Sequence, residues 1–404
     1  MRTVKWNAFL SCLCGFAVVL GGVAISARAD VTTEKGASIL IFPKVRADGT
    51  FDTVIQIANV SNSMVYAQCF YVNATLLDAV THLPCTIPSA TCTPECQETD
   101  FNIWLTKQQP THWTVSTGRD FYPPASFGSD GYGFPPGHVP PMGDSFIGEL
   151  KCVELDPSGA PTTRNDLKGE ATLVAVATTG TGSDQTVTGD VAKYNAIGIS
   201  GNPNVAPPSP LPLDGYNGDP LDHTTSYGAC PAKLILNHVA SGAPDMVATE
   251  LTASGVLPGG TTSAEFTDLT LVPCNEDFEN QIPTAVKVQF DIYNEFENHF
   301  SASTTITCFM EVELSHIDTT FSGSGNGSVF GYQVLGTDVA QTVITPVNKP
   351  DVPTGGLVGI AERITTVTFG TASTTAGRAA YNLHSEGSFI PPNGPDQITL
   401  PAEQ

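Results

Sequence analysis

The sequence predicts an all-β protein, and three observations carry that prediction. Short alternating or β-branched runs recur along the chain, among them "ASILIFPKV", "DTVIQIANV", "KLILNHV", "AVKVQFDIYN" and "RITTVTFGT". Each has strand length and stops at Gly, Pro, Asn, Asp or Ser. The 38 glycines and 31 prolines describe a turn-rich chain. Few stretches repeat their apolar residues at the helical period.

Taken in order, the chain opens with Arg2 and Lys5, an apolar run from about Phe9 to Ile25, and Ala27-Arg28-Ala29. This is the three-part pattern of a secretory signal peptide over 1–29, cleaved after Ala29. No other stretch approaches the ~18 apolar residues of a membrane helix. Cleavage lowers the basic side chains from 17 to 14 against 40 acidic ones, and the net charge from −23 to −26. Such a field excludes nucleic acid and anionic lipid as partners. The expected location is extracellular, at the cell surface or in the periplasm.

Next come an apolar strand closed by Pro43 and a hairpin of two long strands reaching Cys69-Phe70. The order recurs later. Aligning Pro43 with Pro273 brings Gln56 to Gln289 and Cys69-Phe70 to Cys308-Phe309, and Tyr194-Asn195 matches Tyr381-Asn382. An internal duplication follows. Strands of this kind, facing alternately in and out, pack as two sheets face to face, so the expected architecture is two immunoglobulin-like β-sandwich domains. The Trp-and-disulfide signature of antibody domains is missing.

Cysteine parity places the boundary. Loss of Cys12 and Cys14 with the leader leaves eight cysteines, an even number suited to disulfides in an oxidising compartment. A cut in the Pro-rich stretch 200–222 would leave odd numbers on both sides. A cut near 245 leaves six and two, so the expected domains are 30–245 and 246–404. Cys274–Cys308 is then the expected pair, while Cys69, Cys85, Cys92, Cys96, Cys152 and Cys230 keep their pairing open.

"HLPCTIPSATCTPEC" holds His82, Cys85, Cys92 and Cys96, four residues of types suited to zinc. Its spacing lacks paired C-x2-C knuckles, and export favours a disulfide-stapled hairpin tip. "DGYNGDPLDH" could wrap calcium with Asp214, Asn217, Asp219 and Asp222, although it does not fit the helix-loop-helix calcium pattern; a solvated turn is the plainer reading, and no other cofactor is implied. Gly143-Asp144-Ser145 has the look of a hydrolase nucleophile block, yet the α/β alternation that would expose such a serine is missing. The segment 119–144 interleaves Phe121, Tyr122, Phe127, Tyr132 and Phe134 with Gly and Pro. Such a loop presents aromatic faces to a glycan or protein partner, or folds over the sandwich edge as a lid.

"GASILIFPK…DTVIQIANVSNS", "FNIWLTKQQPTHW", "LVPCNEDFE" and "VQFDIYNEFENHFSASTTITCF" resemble a group of secreted bacterial proteins without an assigned activity. The resemblance runs over most of the mature chain. It implies a bacterial, exported protein and transfers no catalytic or binding residue. The leading expectation is a secreted or cell-surface structural or adhesive β protein without catalysis. A carbohydrate-binding protein using the 119–144 loop is the alternative, and a serine hydrolase using Ser145 the third.

Overall fold

The computed structural model describes residues 31–401 apart from 79, 82, 86–91, 120–135, 144, 180–185 and 318–326. The expected leader lies outside the described residues. The chain is predominantly β, in multiple antiparallel sheets.

The first half runs through β1 (Val31–Thr32), β2 (Ile39–Ala47), β3 (Phe51–Asn59), β4 (Val65–Asn73), β5 (Leu76–Asp78) and β6 (Cys92–Pro94). It continues with β7 (Gln97–Leu105), β8 (Pro110–Thr114), β9 (Phe146–Leu155), β10 (Leu167–Thr179), β11 (Thr186–Asn195), β12 (Ile197–Ile199) and β13 (Leu211–Leu213). Ten of these strands form one hydrogen-bonded network ordered β11-β10-β3-β2-β9-β4-β7 along its main path. β2 and β3 pair only through Ala47 and Asp52. β3 lies between β10 and β8, whereas β2 lies between β12 and β9. Alternation explains β3: Thr53, Ile55 and Ile57 are buried while Gln56 is exposed.

The continuous apolar run in β2 has a different cause. Leu40 and Phe42 enter the first core, while Ile39 and Ile41 face a second core shared with Val272, Phe278, Phe309 and Val358 from the later half. A strand covered on both faces needs no polar alternation. Pro43 sits inside β2 and does not close it. The register shifts between Phe42 and Val45, and such an irregularity tolerates the missing ladder donor.

The second half holds β14 (Cys230–Val239), α1 (Met246–Ala253), β15 (Thr261–Pro273), β16 (Glu276–Asp277), β17 (Ala285–Asn294), β18 (His299–Thr307) and β19 (Met310–Glu313). After α2 (Tyr332–Leu335) follow β20 (Val339–Pro346), β21 (Leu357–Phe369), β22 (Ala372–Asn382), β23 (His384–Phe389) and β24 (Asp396–Thr399). α1 starts where the Asp245 side chain accepts from Ala248 N at 2.7 Å. The sheets β18-β17-β20-β14-β23 and β19-β15-β21-β22 enclose a third core that includes Leu236, Leu271, Val288, Phe290, Ile344 and Ala361. A β-sandwich results.

Two expectations change here. The cut near 245 would assign β14 to the first domain, yet β14 pairs with β20 and β23. Leu234 and Leu236 bury in the third core, and that apolar face decides the placement. The Pro-rich stretch also serves both halves, because β13 pairs with β24 near the C-terminus. The strands aligned by the repeat pair differently as well: β4 lies between β7 and β9, whereas β18 pairs with β17.

Candidate functional site

Two places concentrate polar chemistry: an open cleft on the five-stranded sheet, and the buried seam between the halves.

The cleft follows from strand register. Ile292, Ala340 and Leu236 point into the third core, so Tyr293, Gln341 and Asn237 point outward. Tyr293 pairs with Gln341, Gln341 with Asn237, and Tyr293 with His299, which lays a row across four strands. Gln341 Nε2 donates to Asn237 Oδ1 at 3.0 Å. The Tyr381 hydroxyl donates to the Asn237 carbonyl at 3.0 Å, and burial pushes its phenol up to about 12. Arg363 forms an ion pair with Glu265 beside it. The cleft encloses about 640 Å³, within the range of small-ligand sites. Asn294 shapes its rim: its Oδ1 accepts from Phe296 N and Asn298 N, each at 2.9 Å, and its Nδ2 donates to the Leu335 carbonyl at 2.7 Å. Beneath lies buried His238, with Nδ1 3.0 Å from the Val239 carbonyl and Nε2 2.9 Å from Thr342 Oγ1. Burial holds its imidazole down at about 4.

The seam carries two buried lysines, each between two glutamates. Lys44 on β2 contacts Glu362 and lies 2.8 Å from Glu311 Oε1. Arg46 reaches Glu311 at 3.0 Å and Arg378 reaches Glu362 at 3.2 Å. Both guanidiniums also lie over the Phe51 ring, at 4.2 and 4.7 Å from its centroid. Burial alone would lower Lys44, but Glu311 and Glu362 outweigh it and hold the ammonium above its usual range. Burial likewise would raise Glu311, and Lys44 and Arg46 outweigh it.

Lys151 on β9 is fully buried, 2.9 Å from Glu149 Oε1 and 2.8 Å from Glu276 Oε2. Burial lowers it, and the two carboxylates more than reverse that. Burial pushes Glu149 up, with Lys151 opposing and Glu276 adding to the rise. Neighbouring Glu98 is pushed up to about 8 by burial and then by Glu276. Phe70 and Phe278 stack beside this group. The seam is completed by Asn382, whose Nδ2 donates to the Asn195 carbonyl at 2.7 Å.

The disulfides correct the expected pairing. Cys274 is bonded to Cys230 and Cys308 to Cys96, in place of a Cys274–Cys308 bond. Parity had assumed that each domain pairs at home, whereas Cys96 and Cys308 face each other across the second core. Cys69–Cys152 joins neighbouring strands β4 and β9, and Cys85–Cys92 staples the short hairpin of β5 and β6. All three thiols of the zinc candidate are therefore bonded, and His82 lies outside the described residues.

The calcium candidates do not converge. Asp214 Oδ1 accepts from Ser226 N and Tyr227 N, Asn217 Oδ1 from Asp219 N, Asp219 Oδ1 from Leu221 N, and Asp222 Oδ1 from Thr224 N. Asn217, Asp219 and Asp222 each cap their own turn, while Asp214 holds the more distant Ser226–Tyr227 backbone. Among the described residues no three His, Cys, Asp or Glu side chains form a metal-binding group. Phe121, Tyr122, Phe127, Tyr132 and Phe134 lie outside the described residues. Their loop is closed at its stem by paired hydrogen bonds between Arg119 and Val139, both 2.9 Å. Ser145 is exposed in the turn entering β9.

Sequence reasoning missed the cleft and both lysines. Alternation in "AVKVQFDIYN" and "QTVIT" already placed Tyr293 and Gln341 outward, but register across β14, β17 and β20 was needed to bring them together. Lys151 stood in an apolar strand, "FIGELKCVEL", and that was its signal. Among the described residues no helix is long and apolar enough to cross a membrane. No protein-family model matches the chain, and no curated protein does.

Proposed function

We propose that this chain is an exported, non-catalytic adhesive or structural protein of the bacterial cell surface, built as two immunoglobulin-like sandwiches derived from one by duplication. The observation that carries the reading is the seam. Fully buried Lys44 and Lys151, the Cys96–Cys308 bond and the Asn195–Asn382 contact all join the first half to the second. Charged groups spent on locking two halves together serve rigidity and not turnover. Four disulfides support export, as does the leader pattern over 1–29. The hairpins β10–β11 and β21–β22, both ending in Tyr-Asn, support duplication.

The test has two arms. Light scattering across a concentration series, with binding of the purified protein to whole cells, should reveal assembly or attachment. Hydrolysis of a broad ester panel that disappears in Ser145→Ala would replace this reading with the hydrolase.

A second reading is recognition of a neutral glycan, either at the cleft or at the 119–144 loop. The row of Tyr293, Gln341 and Asn237 favours it, because an aromatic face beside amide donors and acceptors matches a sugar's apolar face and hydroxyls. Glycan-array binding lost in Tyr293→Ala supports the cleft. Binding lost only in Tyr132→Ala and Phe134→Ala supports the loop.

A further inference from the structure

We propose that Lys151 and Glu276 become joined by an amide bond between their side chains, with Glu149 as the proton donor that removes the water. The inference goes beyond surface attachment and stands whatever the surface binds.

Three observations converge on it. Lys151 Nζ lies 2.8 Å from Glu276 Oε2 and 2.9 Å from Glu149 Oε1, so amine and carboxyl already touch. Lys151 and Glu149 are fully buried and Glu276 is 3 % exposed, beside the Phe278 ring at 5.9 Å. Such a site holds little water to reverse the reaction. Charge counting supplies the third. One ammonium faces two carboxylates here, and the excess negative charge in a dry site is removed by a proton. Glu149 carries it: burial raises that carboxyl, and its Oε2 has no hydrogen-bond partner among the described residues.

The Lys44 site is an internal comparison. It has the same lysine between two glutamates, but Arg46 and Arg378 neutralise the second charge. With an arginine on each glutamate, neither is left to act as the proton donor, so it remains an ion network.

The step balances. Proton return from Lys151 to Glu276 within the pair gives a neutral amine and a neutral acid. Nζ then attacks Cδ of Glu276 and a C–N bond forms. Glu149 donates its proton to the departing oxygen, the C–O bond breaks, and one water leaves. The Glu149 carboxylate takes the remaining proton from Nζ and is regenerated. No oxidant, reductant or metal enters, and the ion pair has become a neutral amide.

The bond would tie β9 of the first half to β16 of the second. The experiment is the intact mass of the full exported chain after reduction and denaturation, followed by peptide mapping. The expected result is a mass one water below that of the mature sequence, not two. A branched peptide should join the Lys151 and Glu276 segments. Glu149→Gln should restore the full mass. The proposal is overturned by a full mass in the unaltered protein, or by a water loss that maps elsewhere. The unaltered chain alone distinguishes these outcomes, so the test does not depend on any variant folding.

Discussion

The ring of Phe70, from the first half, stacks on that of Phe278, from the second, with centroids 3.9 Å apart and planes 7° from parallel. Both side chains are buried in the second core. Truncating Phe278 to Ala removes this packing and leaves a cavity against Lys151. The expected loss is about 3–5 kcal/mol, read as a lower denaturant midpoint. An unchanged midpoint would mean the halves do not depend on this core.

Lys44 sets a sharper asymmetry. Replacing it with Met removes the cation that Glu311 and Glu362 share and leaves Glu311 to Arg46 and Glu362 to Arg378 alone. That should cost about 3–5 kcal/mol, whereas replacing all three by apolar residues of similar volume should cost much less. Equilibrium unfolding of the single and triple variants makes the comparison.

His238 predicts an acid-side loss of stability. Its folded imidazole titrates at about 4 because burial disfavours the charged form, against a reference of 6.5. The unfolded chain therefore takes up a proton first. The contribution is complete above pH 6.5 and is lost as pH falls through 4, about 3 kcal/mol in total. His238→Gln should flatten this part of the profile of stability against pH. A profile identical to that of the unaltered protein would show that other groups govern the acid limb.

Gly148 tests the tightest backbone approach in β9. A Cβ there would overlap the Val72 carbonyl oxygen, across the pairing with β4. Gly148→Ala should lower stability by about 1–3 kcal/mol through a backbone shift. Thermal unfolding reads the effect.

The strands were legible in the sequence because their side-chain alternation is local, as in Phe51–Asn59 and Ala285–Asn294. Trp113 also reads as core and is 2 % exposed, its indole donating to Tyr71 Oη at 2.6 Å. The partnership between strands was not legible. Whether Cys308 meets Cys274 or Cys96 depends on which faces oppose, and both candidates stand in similar apolar surroundings. Parity arithmetic failed because it presumed two independent domains. The run "ILIF" held a clue to the contrary, since a strand apolar on both faces needs cover on both sides. The glutamates of the seam were hidden for a related reason: Glu276, Glu311 and Glu362 look like surface residues until a lysine from another strand meets them, and Glu149 until its own strand, with Lys151, is covered on both faces.

The bond between Cys96 and Cys308 spans 212 positions, and that distance imposes a timetable on the chain's maturation. Cys85 and Cys92, seven positions apart, can oxidise as soon as both meet an oxidising medium. Cys96 arrives four residues after Cys92 and must then stay reduced until more than half of the protein has followed. During that wait its nearest available sulfurs are wrong ones. Any early bond from Cys96 to one of them must be undone by thiol–disulfide exchange before the native pair can form. A host lacking that exchange would accumulate isomers crosslinked early, within the first hundred residues.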